Sequence, residues 1–165
     1  PADARVQGMV IFHFACYGGG TPDRDQFIHE KNQKPPAIAD APFLAALPKK
    51  WLTHPAGGAL ACIGHVERAW GTSIISGMSG PQIQTFQNAI GRILIGQPLG
   101  YALKDFNERY AALSTSIANT LQKAGWGDKI DRDALATHWI ERNDAEGYVL
   151  IGDPAVRLRA EDLAV

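Results

Sequence analysis

Two cysteines in 165 residues, Cys16 and Cys62, are too few for a disulfide scaffold, and no Cys/His spacing resembles a zinc site. Charge of one sign is also missing. Sixteen Lys and Arg stand against 17 Asp and Glu, a net charge of −1, so there is no electrostatic footing for nucleic acid or an anionic membrane as the main partner. No run of about 18 apolar residues exists, and no membrane-spanning helix is expected. The longest uncharged stretch, residues 69–91, is interrupted by Gly, Ser and Gln. No apolar leader opens the chain, which begins Pro1-Ala2-Asp3-Ala4-Arg5. Internal repeats and low-complexity tracts are absent. These absences fit a reducing, cytoplasmic setting. What is present is ordinary for a globular domain: 45% apolar and 20% charged residues exclude disorder. The length suits one domain, which buries roughly 70% of its unfolded surface.

Short apolar segments alternate with helical patterns. Val10-Ile11-Phe12-His13-Phe14-Ala15 reads as a strand buried on both faces. It stops at Cys16-Tyr17-Gly18-Gly19-Gly20-Thr21-Pro22, which cannot continue a strand, so Cys16 lies where a loop opens. Residues 21–42 are polar and Pro-rich and read as a long loop, with a short helix near Gln26 to Lys31. Phe43, Leu44, Leu47 and Trp51 have helical spacing, which Pro48 is expected to break or kink. Residues 57–64 read as a second buried strand that runs into the polar cluster His65, Glu67, Arg68 and Trp70. Ser79-Gly80-Pro81 predicts a capped helix start, followed by Ile83, Phe86, Ile90 and Ile93 on one face. After Gly96-Gln97-Pro98-Leu99, a second helix aligns Leu103, Phe106, Tyr110, Leu113, Ile117 and Leu121 as a core stripe and stops at Gly125. A third helix spans about Arg132 to Arg142. Tyr148-Val149-Leu150-Ile151 is a last buried strand. The pattern is α/β with a mainly parallel sheet. Ligands of such sheets bind beyond the carboxyl ends of the strands, where Cys16 and the His65 to Trp70 cluster gather.

Three blocks in this order carry a family likeness. Phe14-Ala15-Cys16-Tyr17-Gly18-Gly19 resembles the nucleophile block of caspase-like cysteine peptidases, in particular the gingipain-like peptidases and the CHAT domains of bacteria. The block from Gly58 to Arg68 resembles their next core strand, whose end helps build the pocket for the residue before the scissile bond. Ile151-Gly152-Asp153-Pro154-Ala155-Val156-Arg157-Leu158 resembles their Gly-Asp-Pro closing motif. The resemblance implies a caspase-like three-layer α/β/α sandwich. The 165 residues would form a single domain, the C-terminal portion of the fold, with its N-terminal strands missing. It also implies that the catalytic His comes from a His-Gly pair upstream of the Cys strand. The residues before Cys16 contain no such pair, so the rest of the parent polypeptide is an expected partner.

Cys16 is the candidate nucleophile. Thiolate chemistry needs a base or positive charge and access, and a strand end beside a glycine loop gives access and free N–H groups for an oxyanion. By resemblance the Cys16 N–H is one oxyanion donor. Gly18 and Gly19 either let the substrate backbone approach closely or form a flexible turn. Cys62, mid-strand among small apolar residues, is core. His13 lies three residues before Cys16, on the opposite face of a strand, and reads as a hydrogen-bonded core histidine. His65 ends its strand at the same sheet edge as Cys16. It is a candidate to line the substrate pocket, with a substitute base or a structural role as alternatives. By resemblance Glu67, Arg68 and Trp70 line that pocket too: Trp70 as an aromatic wall, Glu67 as an acid suited to Arg or Lys. The alternative is an internal Glu67–Arg68 or Arg68–Asp153 pair that shapes the loop. Phe14 stands where metacaspase-like enzymes carry an Asp, so that route to basic specificity is absent. Asp153 is expected to organise a turn by accepting backbone N–H groups.

Two function classes follow. The first is the nucleophile-bearing portion of a cysteine endopeptidase that cleaves protein or peptide substrates through a Cys16 thioester and needs no metal or organic cofactor. The second is a non-catalytic caspase-like interaction or scaffold module. A nucleotide-binding domain is weaker, because Gly18-Gly19-Gly20 is not part of a Gly-x-Gly-x-x-Gly or phosphate-loop pattern.

Overall fold

The run beginning at Val10 forms strand β1 (Val10–His13), and its neighbour in the sheet is β4 (Ala61–His65). The computed structural model describes residues 3–27, 30, 32–76, 80–159 and 161. Between β1 and β4 lie the short antiparallel pair β2 (Gly20–Thr21) and β3 (Phe43–Leu44), and helix α1 (Ala46–Leu52). Phe43 and Leu44 therefore belong to a strand, not to the expected helix. Pro48 neither breaks nor kinks α1, because it sits in the first turn, where no intrahelical N–H is required. Gln26 and Phe27 form a turn. Glu30 is not helical, and Ile28, His29 and Lys31, the other residues of the expected short helix, lie outside the described residues.

After β4 the chain makes one 3₁₀ turn (Gly71–Ser73) and a small hairpin, β5 (Ile75–Ser76) with β6 (Gly80–Pro81). The expected helix start at Gly80-Pro81 is thus a strand, and Ser79 lies outside the described residues. Helix α2 begins only at Gln84 (Gln84–Leu94) and is followed by α3 (Leu99–Ala102), α4 (Lys104–Gly125) and α5 (Arg132–Gly147). Asp131 caps α5 by accepting the Asp133 and Ala134 N–H groups, each at 3.0 Å. The helix runs past Arg142 to Gly147 and leads directly into β7 (Tyr148–Gly152).

The main sheet has the order β1-β4-β7. Strands β1 and β4 are parallel, with Val10 opposite Ala61 and His13 opposite Gly64. Strand β7 is antiparallel to β4, with Tyr148 opposite His65. Its direction follows from the connection. Helix α5 ends beside the C-terminal end of β4, where the Gly147 carbonyl accepts the Val66 N–H at 2.9 Å. With no loop between α5 and β7, the strand must start there and run back.

Alternation sorts the side chains. Phe12, Ala61, Ile63 and Tyr148 face α2, α3 and α4, where they meet Ala89, Ile93, Leu99, Ala102 and Phe106. The Phe106 ring lies 4.4 Å from Tyr148 and 5.2 Å from Phe86 between centroids. Helix α5 packs on α4. On the opposite face, His13 meets Trp51 of α1 at 5.8 Å between ring centroids. Cys62 is fully buried, as expected. Strand β1 is only half-buried, not covered on both faces, because it is the edge of the described sheet. Helix α2 buries Ala89 and Ile93, while Ile83 and Ile90 stay exposed. The α4 stripe is deepest at Phe106 and Ile117, and Leu121 is exposed.

Candidate active site

Parallel pairing of β1 and β4 sets their C-terminal ends side by side, and the loops that follow are stitched together. The Tyr17 N–H donates to the Glu67 carbonyl at 2.8 Å, and the Gly19 N–H to the His65 carbonyl at 2.8 Å. Tyr17 adopts φ 57°, in the left-handed region that side-chain-bearing residues seldom occupy. Such strain collects at functional sites, and here it immediately follows the cysteine.

Cys16 is exposed, and its Sγ lies 3.7 Å from the Ala69 carbonyl oxygen. Among the described residues no acceptor takes the Cys16 N–H. Gly18 and Gly19 differ from both sequence expectations. They are buried, and their N–H groups donate to Ala15 and His65. A Cβ on Gly19 would lie 3.1 Å from the Gly64 carbonyl, and one on Gly18 would lie 2.7 Å from His13 Nδ1. Close approach is indeed their role, but to this chain's own backbone and side chains, and neither amide is free for a substrate. His13 Nδ1 is buried without a partner among the described residues, so the expected hydrogen bond is not made at that atom.

His65 is turned away from the surface, and both its ring nitrogens bond within this chain. It is in phase with Ala61 and Ile63, so its ring points into the core and is fully buried. Nδ1 accepts the Glu67 N–H at 3.0 Å, which leaves Nε2 to donate to the Asp144 carbonyl oxygen at 3.0 Å. Both nitrogens are committed, so the ring has no free nitrogen to serve as a base. Asp144, itself buried, accepts the Trp70 N–H at 2.6 Å through Oδ1. Burial pushes its carboxyl up from the ordinary carboxylate range, while nearby Ser73, the Trp70 N–H, His65 and Arg109 work against that rise.

Of the expected pocket residues, Glu67 lines a cavity. The cavity measures about 350 Å³ and is walled by Pro22, Gln26, Phe27, Val66, Glu67 and, from α5, Glu146. The Glu67 side chain is buried, and neither carboxylate oxygen reaches hydrogen-bond geometry with a described residue. Burial, and then the charge of Asp25, push its carboxyl up, against the pull of the nearby Gln26 amide. Arg68 pairs with neither Glu67 nor Asp153. Its guanidinium forks onto both oxygens of Asp25, which is 2% exposed. Trp70 stands behind the cavity wall, its ring 5.4 Å from that of Phe27. Asp153 accepts the Ala155 N–H at 2.8 Å, the turn-organising role expected of it.

Three participants were not singled out from sequence: Asp25, Phe27 and Asp144. Asp25 and Phe27 lie in a polar loop with no periodicity, and their partners lie some forty residues away in the chain. Asp144 sits in a stretch, Asn143-Asp144-Ala145-Glu146-Gly147, whose composition imitates a turn. The inward phase of His65 was the one available signal.

The family model of peptidase family C25, the gingipain family of caspase-like cysteine peptidases, matches residues 37–159. His65, Glu67, Arg68 and Trp70 fall inside the match, while Cys16, Gly18 and Gly19 precede it. No curated protein and no solved structure matches the chain significantly. Among the described residues no helix is long and apolar enough to cross a membrane.

Proposed function

The chain belongs to peptidase family C25, and we propose that it is the nucleophile-bearing portion of a cysteine endopeptidase domain, with Cys16 as the nucleophile. One observation carries this reading: an exposed thiol at the joined ends of two parallel strands, one backbone hydrogen bond away from an acid-lined cavity. The Cys16 sulfur attacks the peptide carbonyl carbon, and its proton passes to a base. The carbonyl oxygen takes up the electron pair beside the free Cys16 N–H. The C–N bond then breaks, the amine leaves with the proton, and water hydrolyses the thioester. His65 does not offer the base, since both its ring nitrogens are bonded. We assign it to a histidine elsewhere in the parent polypeptide, of which these 165 residues form the C-terminal part of one domain.

The cavity supports a substrate with a basic side chain before the scissile bond. Glu67 is a buried carboxylate with no hydrogen-bond partner among the described residues, and Glu146 adds a second acid to the lining. Arg68, held by Asp25, shapes the loop, and Trp70 backs the wall through Phe27. Two free cysteines suit a reducing, cytoplasmic location.

The test is cleavage of arginyl or lysyl peptides by the intact polypeptide. Cys16→Ala abolishes it and Cys62→Ala, in the core, leaves catalysis in the folded fraction. Undiminished cleavage by Cys16→Ala overturns the assignment. A native protein that cleaves no peptide at all favours the scaffold module instead.

A further inference from the structure

The loop that follows β4 is held from beneath by the last turn of α5. The Val66 N–H donates to the Gly147 carbonyl at 2.9 Å, and the Trp70 N–H donates to the Asp144 carboxylate at 2.6 Å. His65 joins the same turn, since it takes the Glu67 N–H and donates to the Asp144 main-chain oxygen. Of these α5 contacts, only the one to Trp70 is made by a side chain.

That contact has a particular geometry. The Trp70 N–H and the Ala69 carbonyl belong to one peptide unit. The unit is planar and trans, so its N–H and C=O point in opposite directions and turn together. Asp144 Oδ1 grips the N–H end at 2.6 Å, and Cys16 Sγ lies 3.7 Å from the oxygen at the other end. The carboxylate and the thiol thus face each other across one rigid plane. Asp144 is 1% exposed. A carboxyl buried to that degree is costly and needs partners that hold it in place. His65 lies at 3.5 Å, and Ser73 on the 3₁₀ turn and Arg109 also lie near it.

We infer that Asp144 is a positioning residue of the Cys16 site, acting through the 69–70 peptide to fix the carbonyl that faces the thiol and the start of the wall behind the acidic cavity. The inference rests on the reading of Cys16 as the nucleophile. Asp144 touches neither the thiol nor the cavity. Its removal frees the peptide plane to rotate, which takes the Ala69 oxygen off the sulfur and moves the Trp70 backbone. Asparagine at this position keeps an acceptor oxygen and the side-chain shape, so it holds the plane. Alanine and leucine do not. Leucine fills the space with an apolar group, a replacement that buried ionic sites often tolerate.

The experiment uses the intact polypeptide and two probes of Cys16, an arginyl chloromethyl ketone and iodoacetamide, each rate normalised to free cysteine and assigned to Cys16 by peptide mass. The ketone reads the assembled site, whereas iodoacetamide reads exposure alone. Wild type and Asp144→Asn give the same ketone-to-iodoacetamide ratio within about threefold, and Asp144→Ala and Asp144→Leu lose at least about tenfold of it. Native circular dichroism and an unfolding midpoint above the assay condition qualify each variant, and Asp144→Leu carries the test where the alanine variant does not fold. A folded alanine or leucine variant with the wild-type ratio overturns the inference, as does loss of the ratio in all three variants alike, which would make the carboxylate charge the operative feature. A wild-type ratio of one sinks the reading of Cys16 itself, and the positioning role falls with it.

Discussion

Gly147→Ala tests the packing logic around His65 by sign. Gly147 is the last residue of α5, and its φ is outside the left-handed region. By helix propensity alone, alanine should stabilise the chain there by about 0.5–1 kcal/mol. The structure demands the opposite. A Cβ on Gly147 would lie 2.3 Å from both Cε1 and Nε2 of His65, well inside contact distance. The ring cannot yield freely, because it is fully buried and bonded through both nitrogens. Overpacking of this kind costs about 1–3 kcal/mol, and losing the ring's two hydrogen bonds adds about 1 kcal/mol each. Against the propensity gain, the net is a loss of roughly 2–4 kcal/mol, or roughly 5–15 °C in Tm for a domain of this size. Gly91→Ala is the control. Gly91 lies within α2, and a Cβ there meets nothing within 4 Å, so alanine raises stability by about 0.5–1 kcal/mol. Urea unfolding and thermal melts of both variants decide it. A Gly147→Ala protein as stable as wild type would refute the assignment of His65 as a ring locked between α5 and the loop.

Three further outcomes follow from the same geometry. Glu67→Gln removes a buried carboxylate whose protonation the folded state favours. That group's contribution is greatest at low pH and declines as pH rises from the ordinary carboxylate range through its raised folded value. The variant should therefore be more stable than wild type at neutral pH, while its preference for arginyl over leucyl substrates falls at least about tenfold; an unchanged preference counts against the acidic cavity. Arg68→Ala removes the guanidinium that forks onto both carboxylate oxygens of Asp25, which is 2% exposed. The loss in urea unfolding should be about 2–3 kcal/mol, below that of a fully enclosed pair because Arg68 is partly open to water. Burial pushes the Cys62 thiol up to about 11. Iodoacetamide at neutral pH should label Cys16 in the native protein and Cys62 only on unfolding. Stability should decline between about pH 9 and 11 as the unfolded chain ionises this thiol and the folded one does not.

Much of the sheet was legible because short apolar runs and their terminators are local signals. The loop that opens after β1, the core position of Cys62 and the turn at Asp153 all follow from residues within a few positions of one another. Errors arose where tertiary contacts decided. Ile90 and Ala89 both lie within reach of a helical stripe, and the direction of the sheet chose the smaller one. Phe43 and Leu44 have helical spacing but find a strand partner in Gly20 and Thr21. The antiparallel course of β7 depends on where α5 ends, and α5 outruns its apolar pattern by a polar turn. The site divides in the same way. The placement of Cys16 and Glu67 beyond the strand ends was legible from position, while the Arg68–Asp25 fork and the Asp144–Trp70 bond join segments that share no local pattern. His65 misled because strand-end histidines suggest chemistry, although its phase with Ala61 and Ile63 already turned it inward.

The most direct test is to trap the covalent intermediate. The intact polypeptide is mixed with an arginyl ester, quenched in acid within milliseconds to seconds, digested and mapped by mass. The acyl mass should appear on the peptide that contains Cys16 and disappear as product forms. Turnover with no acyl group on Cys16, or with the acyl group on Cys62, would contradict the assignment of Cys16 as the nucleophile.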